Sequence, residues 1–206
     1  MPKYLVIICW LMVANTFVFG QIKLKQQAPL TDVKMKNTQG EDLSLDGAKK
    51  KNGLIVIFSC NTCPFVVGTP DFPGWERQYN AIFEAAAKQE IGVVIVNSNE
   101  GKRTGADSFE EMVKHAKDQN YLAPYLLDEK SQLANAFGAK TTPHIFFLDG
   151  NLKLIYMGSI DNIWDNKREK DEPYLLNAIQ AQSEAHKIKP ASTPPKGCSI
   201  KRVTNN

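Results

Sequence analysis

The chain has 206 residues, of which 43% are hydrophobic and 23% are charged, a mixture typical of a globular protein. Its formal net charge is only +3, and its Lys and Arg residues are scattered along the sequence. This pattern excludes the strongly basic surface of nucleic-acid-binding proteins, so we expect no nucleic-acid partner.

The N-terminus has the pattern of a secretory signal peptide. Lys3 precedes an apolar run from Tyr4 to Phe19, and Gly20 follows before the sequence turns polar. We predict a signal peptide over residues 1–20, with cleavage after Gly20. The run is short for a membrane span, so we expect no stable membrane insertion after cleavage, although an uncleaved anchor stays open. The protein is therefore expected to be exported, either periplasmic or extracellular.

The predicted elements alternate between strands and helices. After a polar lead-in with a short strand or hairpin, apolar runs at 54–58 and 91–96 indicate strands buried on both faces. A short strand at 125–127 and a hairpin of strands 144–148 and 152–157 follow. Helical spacing predicts helices over 75–89, 108–116 and 133–137, and a last one from about 171.

This order predicts an α/β protein, a three-layer sandwich whose central mixed sheet carries helices on both faces. We assign residues 21–188 to this domain. The composition then changes to Pro, Ser, Thr and Lys, so residues 189–206 are predicted to form a Pro-rich C-terminal tail that contains Cys198.

The sequence C-N-T-C-P at residues 60–64 follows the first buried strand. A thiolate is the reactive form of cysteine, and a helix N-terminus stabilises it. Two intervening residues allow Cys60 and Cys63 to form a disulfide, so one sulfur can attack a substrate and the other can release it. Half of a zinc site has the same spacing, but Cys198 stands alone in the tail. We therefore expect no metal and no cofactor.

A proline precedes the strand at 144–148. Prolines are tolerated at the start of a strand, and a cis bond between Thr142 and Pro143 would form a tight, fixed turn there. An ordinary trans proline at a strand edge is the alternative.

Four segments resemble the thioredoxin-like superfamily, and more closely its redoxin branch, the peroxiredoxin-like proteins of the AhpC/TSA type. They are residues 58–65, 96–99, 142–149 and 197–201, and the resemblance extends over about residues 28–201. The family implies a thioredoxin fold, an active-site disulfide between Cys60 and Cys63, and a cis-proline, Pro143, that faces it. Thr142 would then present backbone groups to a bound peptide.

The first functional hypothesis is an exported thiol–disulfide oxidoreductase. Cys60, at the exposed end of the motif, would attack, and Cys63 would resolve the mixed disulfide. The expected partners are thiol or disulfide proteins, or a membrane electron donor.

Two alternatives stay open. In a peroxiredoxin-like peroxidase, Cys63 would react with peroxide, and Cys60 or Cys198 would resolve it; Arg77 and Arg103 are the candidates for the arginine that such enzymes use. In a Cu(I)-binding assembly factor, His144 would join the two thiolates. Cys198 is either an accessory thiol of this site or an unpaired tail cysteine.

Overall fold

A computed structural model describes residues 20–203. Except for Gly20, the predicted signal peptide lies outside the described residues. Among the residues described, no helix is long and apolar enough to cross a membrane.

The core of the protein is one mixed five-stranded sheet with the order β3-β2-β1-β5-β6, and a second sheet contains only β4 and β7. β1 pairs in parallel with β2 on one side and antiparallel with β5 on the other. The strands are β1 (Gly53–Ser59), β2 (Ile91–Asn97), β3 (Tyr125–Leu127), β4 (Thr141–Thr142), β5 (His144–Leu148), β6 (Leu154–Gly158) and β7 (Cys198–Ser199).

Helices cover both faces of the five-stranded sheet. They are α1 (Leu45–Ala48), α2 (Pro64–Val67), α3 (Tyr79–Lys88), α4 (Phe109–Asp118), α5 (Gln132–Phe137) and α6 (Tyr174–Ser183), with short 3₁₀ turns at Glu76–Gln78, Glu100–Lys102 and Glu129–Ser131. One apolar cluster joins one face of the sheet to α3, α4 and α6, and a second joins the opposite face to α1 and α5. The predicted three-layer α/β sandwich is confirmed.

The burial of β1 explains its continuous apolar sequence. Ile55 and Ile57 pack into the first cluster, whereas Leu54, Val56 and Phe58 pack into the second. A strand with helices on both faces has no polar side, because its side chains alternate between two buried layers.

Several boundaries differ from the predictions. α3 begins at Tyr79 rather than at residue 75, and α6 begins at Tyr174 rather than near residue 171. β6 begins at Leu154 rather than at residue 152, because the Asp149 carboxylate accepts the backbone N–H groups of Asn151 and Lys153, each at 2.9 Å, and closes a longer turn. The helix after the cysteine motif is only one turn long. It ends at Gly68, whose φ of 94° is not helical, and Pro70 and Pro73 in the following loop cannot donate helical hydrogen bonds.

The Pro-rich tail is packed along the domain. Thr193 donates its backbone N–H to Met157 of β6 at 3.0 Å, and Ile200 is buried in the second apolar cluster. Between them, β7 pairs with β4. The tail therefore reaches the sheet edge that lies beside the cysteine motif.

Candidate active site

The antiparallel pairing of β1 with β5 brings the cysteine motif to the predicted proline turn. Phe58 lies opposite His144 in this pairing. The chain that leaves β1 therefore runs beside the chain that enters β5. Ser59 fixes the exit, because its hydroxyl lies 2.9 Å from the Tyr79 hydroxyl in the core.

Thr142 contacts both cysteines of the motif. The Cys60 sulfur lies 3.2 Å from the Thr142 hydroxyl, and the Cys63 sulfur lies 3.1 Å from the Thr142 carbonyl oxygen. The bond between Thr142 and Pro143 is cis, as predicted. The structure thus brings together four residues that the sequence singled out.

Cys198 completes a group of three thiols. In the small sheet Cys198 is the register partner of Thr142, and its side chain packs against the cluster of Cys60, Cys63 and Val66. Cys60, Cys63 and Cys198 all carry free thiols. The tail cysteine is therefore a neighbour of the motif and not an isolated residue.

Asn61, between the two cysteines, is held on three sides. Its backbone N–H donates to the Asp107 carboxylate at 2.9 Å, and its side-chain amide donates to the Ala106 carbonyl at 2.8 Å. Its side-chain oxygen accepts a 2.8 Å hydrogen bond from the Tyr125 hydroxyl. These bonds fix the conformation of the loop that carries the cysteines.

Asp107 is fully buried behind this loop. Its carboxylate also accepts from the side-chain amides of Asn97, at 2.7 Å, and Asn99, at 3.1 Å. A buried carboxylate is tolerated only with such partners. The sequence around Asp107 does not by itself indicate this role. The repeated asparagines of the segment after β2 were the available signal.

The surroundings of the two motif cysteines shift their pKa values in opposite directions. A hydrogen bond from Cys60, and weaker ones from Cys198 and Thr142, outweigh burial and lower the pKa of Cys63 to about 5. For Cys60, the hydrogen bond to Cys63, burial and the nearby Asp107 charge together raise the pKa. Burial and the contact with Cys63 also raise the pKa of Cys198, to about 11.

These surroundings favour Cys63 over Cys60 as the nucleophile. Cys60 was expected at the exposed end of the motif, but only 2% of its surface is exposed, against 4% for Cys63. Cys60 lies three residues before the N-cap position of the one-turn helix α2, which Cys63 occupies without a side-chain capping hydrogen bond. The thiolate is the nucleophilic form of cysteine, so Cys63 has the better environment for attack.

The three thiols line a cavity of about 210 Å³. Lys102 and Lys201 also line it, and the charge of Lys201 acts on Cys198 to favour its thiolate. The cavity therefore combines thiol groups with positive charge.

His144 does not complete a metal site. Its Nδ1 accepts the backbone N–H of Lys140 at 3.1 Å, and its ring packs 4.5 Å from that of Phe146. Burial lowers its pKa to about 3, so the ring is neutral at physiological pH. Within residues 20–203, no group of three or more His, Cys, Asp or Glu side chains is placed to hold a metal ion.

Arg103 is engaged with backbone groups behind the cysteine loop. Its guanidinium donates to the carbonyl oxygens of Asp107, at 2.6 Å, and Asn97, at 3.0 Å. Arg103 thus supports the segment after β2 and is not directed at Cys63.

Two solved structures are similar to this chain over most of its length. An uncharacterized conserved protein from Geobacillus kaustophilus is 27% identical, with a TM-score of 0.79 over 90% of this chain and 95% of that protein. A hypothetical protein from Sinorhizobium meliloti is 28% identical, with a TM-score of 0.76 over 90% and 98%.

At lower identity, 15%, the thioredoxin domain of a thiol-disulfide oxidoreductase from Bacteroides vulgatus shares the fold, with a TM-score of 0.55 over 78% of this chain and 97% of that domain. No curated protein matches the sequence. The model of the AhpC/TSA family matches residues 24–157, which is more than half of the chain. The chain therefore belongs to the AhpC/TSA family and has a thioredoxin-like fold.

Proposed function

We propose that the protein is an exported thiol–disulfide oxidoreductase in which Cys63 attacks and Cys60 completes the disulfide. The observation that carries this proposal is the position of both sulfurs at Thr142, directly before the cis-proline Pro143. The lowered pKa of Cys63 supports its role as the nucleophile.

The reaction with a protein disulfide has two steps. The Cys63 thiolate attacks one substrate sulfur, which breaks the substrate disulfide, forms a mixed disulfide and releases the other substrate sulfur as a thiolate. Cys60 then loses its proton to that thiolate and attacks the Cys63 sulfur. The substrate leaves as a dithiol, and the protein keeps the Cys60–Cys63 disulfide. The reverse sequence oxidises a substrate dithiol.

A second protein must reduce the Cys60–Cys63 disulfide before the next cycle. A reducing thiol protein or a membrane electron donor would return the Cys60–Cys63 disulfide to two thiols. An exported location suits this cycle, because disulfides persist outside the reducing cytosol.

Reduction of insulin disulfides by the purified protein tests the proposal. We expect catalysis by the wild type, none by Cys63→Ser, and accumulation of a mixed disulfide between Cys63 and insulin in the double variant Cys60→Ser/Cys198→Ser, which has no second thiol near Cys63. If Cys63→Ser keeps its activity while the double variant forms no mixed disulfide, the proposed order of attack is wrong. If the wild type itself is inactive towards protein disulfides, the proposed function is wrong.

A thiol peroxidase is the second candidate. It is favoured by the AhpC/TSA family match and by Cys63, which has a lowered pKa and precedes Pro64. The Cys63 thiolate would reduce a hydroperoxide to an alcohol and become a sulfenic acid, which a second thiol would convert to a disulfide with loss of water. The engagement of Arg103 with backbone carbonyls weighs against it. Consumption of hydrogen peroxide that exceeds insulin turnover under the same reductant would favour the peroxidase.

A further inference from the structure

Strand β7 pairs with β4, which is the strand edge where the proposed function would place a bound substrate. Thr141 pairs with Ser199, and Thr142 pairs with Cys198. Gly197, the residue before Cys198, packs directly against Thr142. A Cβ atom at residue 197 would lie 2.3 Å from the Thr142 carbonyl oxygen. Only glycine allows this close approach.

Contacts on both sides hold β7 in this place. Before it, the Lys196 ammonium lies 4.8 Å from the ring centre of Trp164 and 5.6 Å from that of Phe65. After it, the Ile200 backbone N–H donates to the Lys140 carbonyl at 3.1 Å.

A further pair of bonds joins the tail to the loop after β2. The Lys201 backbone N–H donates to the Asn99 side chain at 2.9 Å, and the Gly101 N–H donates to the Lys201 carbonyl at 2.7 Å. Asn99 is itself bound to Asp107. The tail and the cysteine loop are therefore anchored to the same polar group.

We propose that Cys198 is a third redox-active thiol and that β7 is an internal occupant of the substrate edge, an inference that rests on the proposed function. After Cys60 and Cys63 have formed their disulfide, the Cys198 thiolate attacks the Cys63 sulfur. The Cys60–Cys63 bond breaks, the Cys63–Cys198 bond forms, and Cys60 leaves as a thiolate that takes up a proton. The step is an isomerisation and needs no further oxidant.

This exchange has a consequence for substrates. An extended protein segment can reach the Thr142 backbone only after β7 has left it, as in other cases where a peptide adds to a sheet edge. The substrate class is therefore an extended segment with a cysteine that replaces Cys198 at Cys63. Folded proteins with enclosed disulfides are poor substrates.

Disulfide mapping of the full-length mature protein tests the inference. The protein is oxidised with oxidised glutathione, its remaining thiols are alkylated, and its peptides are analysed by mass spectrometry. We expect both Cys60–Cys63 and Cys63–Cys198 linkages in the wild type and mainly Cys63–Cys198 in Cys60→Ala. A Cys60→Ala variant that leaves Cys198 fully alkylated would overturn the inference.

A second pair of variants tests the role of the strand. Gly197→Val places a side chain against Thr142, whereas Gly105→Val adds the same atoms where a Cβ would meet no atom closer than 3.9 Å. Displacing β7 lowers the effective concentration of Cys198 at Cys63. We expect Gly197→Val to reduce the Cys63–Cys198 linkage by roughly tenfold and to accelerate insulin reduction, with Gly105→Val like the wild type.

The two proposals fail in different ways. If the wild type reduces insulin and Gly197→Val changes neither the linkage nor the rate, the role of β7 is wrong and the proposed function stands. If the wild type does not reduce insulin but Cys63–Cys198 still forms, the proposed function fails while the contact between these thiols is upheld. Melting curves of both glycine variants verify that the domain remains folded.

Discussion

The backbone N–H of Asn61 donates to the buried carboxylate of Asp107 over 2.9 Å. This bond, with the one from the Asn61 side chain to the Ala106 carbonyl, joins the loop between the cysteines to the segment after β2. Asn97, at the end of β2, and Asn99 bind the same carboxylate. The conformation of the cysteine loop therefore depends on a residue far away in sequence. Asp107 is a positioning residue of the site.

Replacing Asp107 by alanine should destabilise the protein. The change leaves three N–H donors without their acceptor, and we expect a loss of about 2–4 kcal/mol in the free energy of unfolding. Urea denaturation monitored by tryptophan fluorescence measures it. Asp32→Ala, at an exposed position, is the control and should change stability by less than about 0.5 kcal/mol. Equal stability of the two variants would contradict this structural role of Asp107.

The thiolate of Cys63 should persist well below neutral pH. Its pKa is lowered to about 5, chiefly by the hydrogen bond from Cys60. Ultraviolet thiolate absorbance, taken as the difference between the wild type and Cys63→Ser, should therefore titrate near pH 5. In Cys60→Ala the midpoint should rise, because the main stabilising donor is gone. A midpoint near the ordinary cysteine value in the wild type would be incompatible with this environment.

His144 should make the fold sensitive to acid. The unfolded chain binds a proton at this imidazole below about pH 6.5, whereas the buried ring resists protonation down to about pH 3. Because the unfolded state then binds more protons, stability falls as the pH drops through this window, by about 1.4 kcal/mol per unit. Above pH 6.5 the effect is absent.

Comparing two histidine variants isolates this effect. His144→Gln keeps an acceptor for the Lys140 N–H but cannot be protonated. Between pH 6.5 and 4, its free energy of unfolding should therefore fall by about 3 kcal/mol less than that of the wild type. His186→Gln removes an exposed histidine and should retain the wild-type acid sensitivity. Identical pH profiles for both variants, from denaturation curves, would count against the prediction.

The expected signal peptide makes a direct prediction about processing. When the full-length chain is expressed in a bacterium, we expect the mature protein in the exported fraction to begin at Gln21. N-terminal sequencing of that fraction and of the cytosol checks the cut. A protein that keeps residues 1–20 and stays with the membrane fraction would instead support the uncleaved anchor.

Much of the fold could be predicted because its signals are local. The buried runs predicted β1 and β2 to within one residue at each end, since a strand covered on both faces must be apolar throughout. The proline turn at Thr142 could be placed as well, because a proline is acceptable at the start of a strand but not inside it.

The details of the candidate site could not be predicted in the same way. Which of the two sulfurs attacks first depends on their neighbours: Asp107 lies near Cys60, and Cys198 lies near Cys63. Asp107 and Cys198 both come from other parts of the chain. The place of the tail depends on Gly197 and Ile200, whose contacts are with residues about 55–60 positions earlier. Such pairings have no local periodicity.

The pairing of β7 with β4 also sets an order of events during synthesis. The segment with Cys198 follows the segment with Cys60 and Cys63 by 135 residues, so it is made later and leaves the ribosome or the export machinery later. Until β7 has been released, the edge at Thr142 has no β7 to pair with, and the third thiol arrives last.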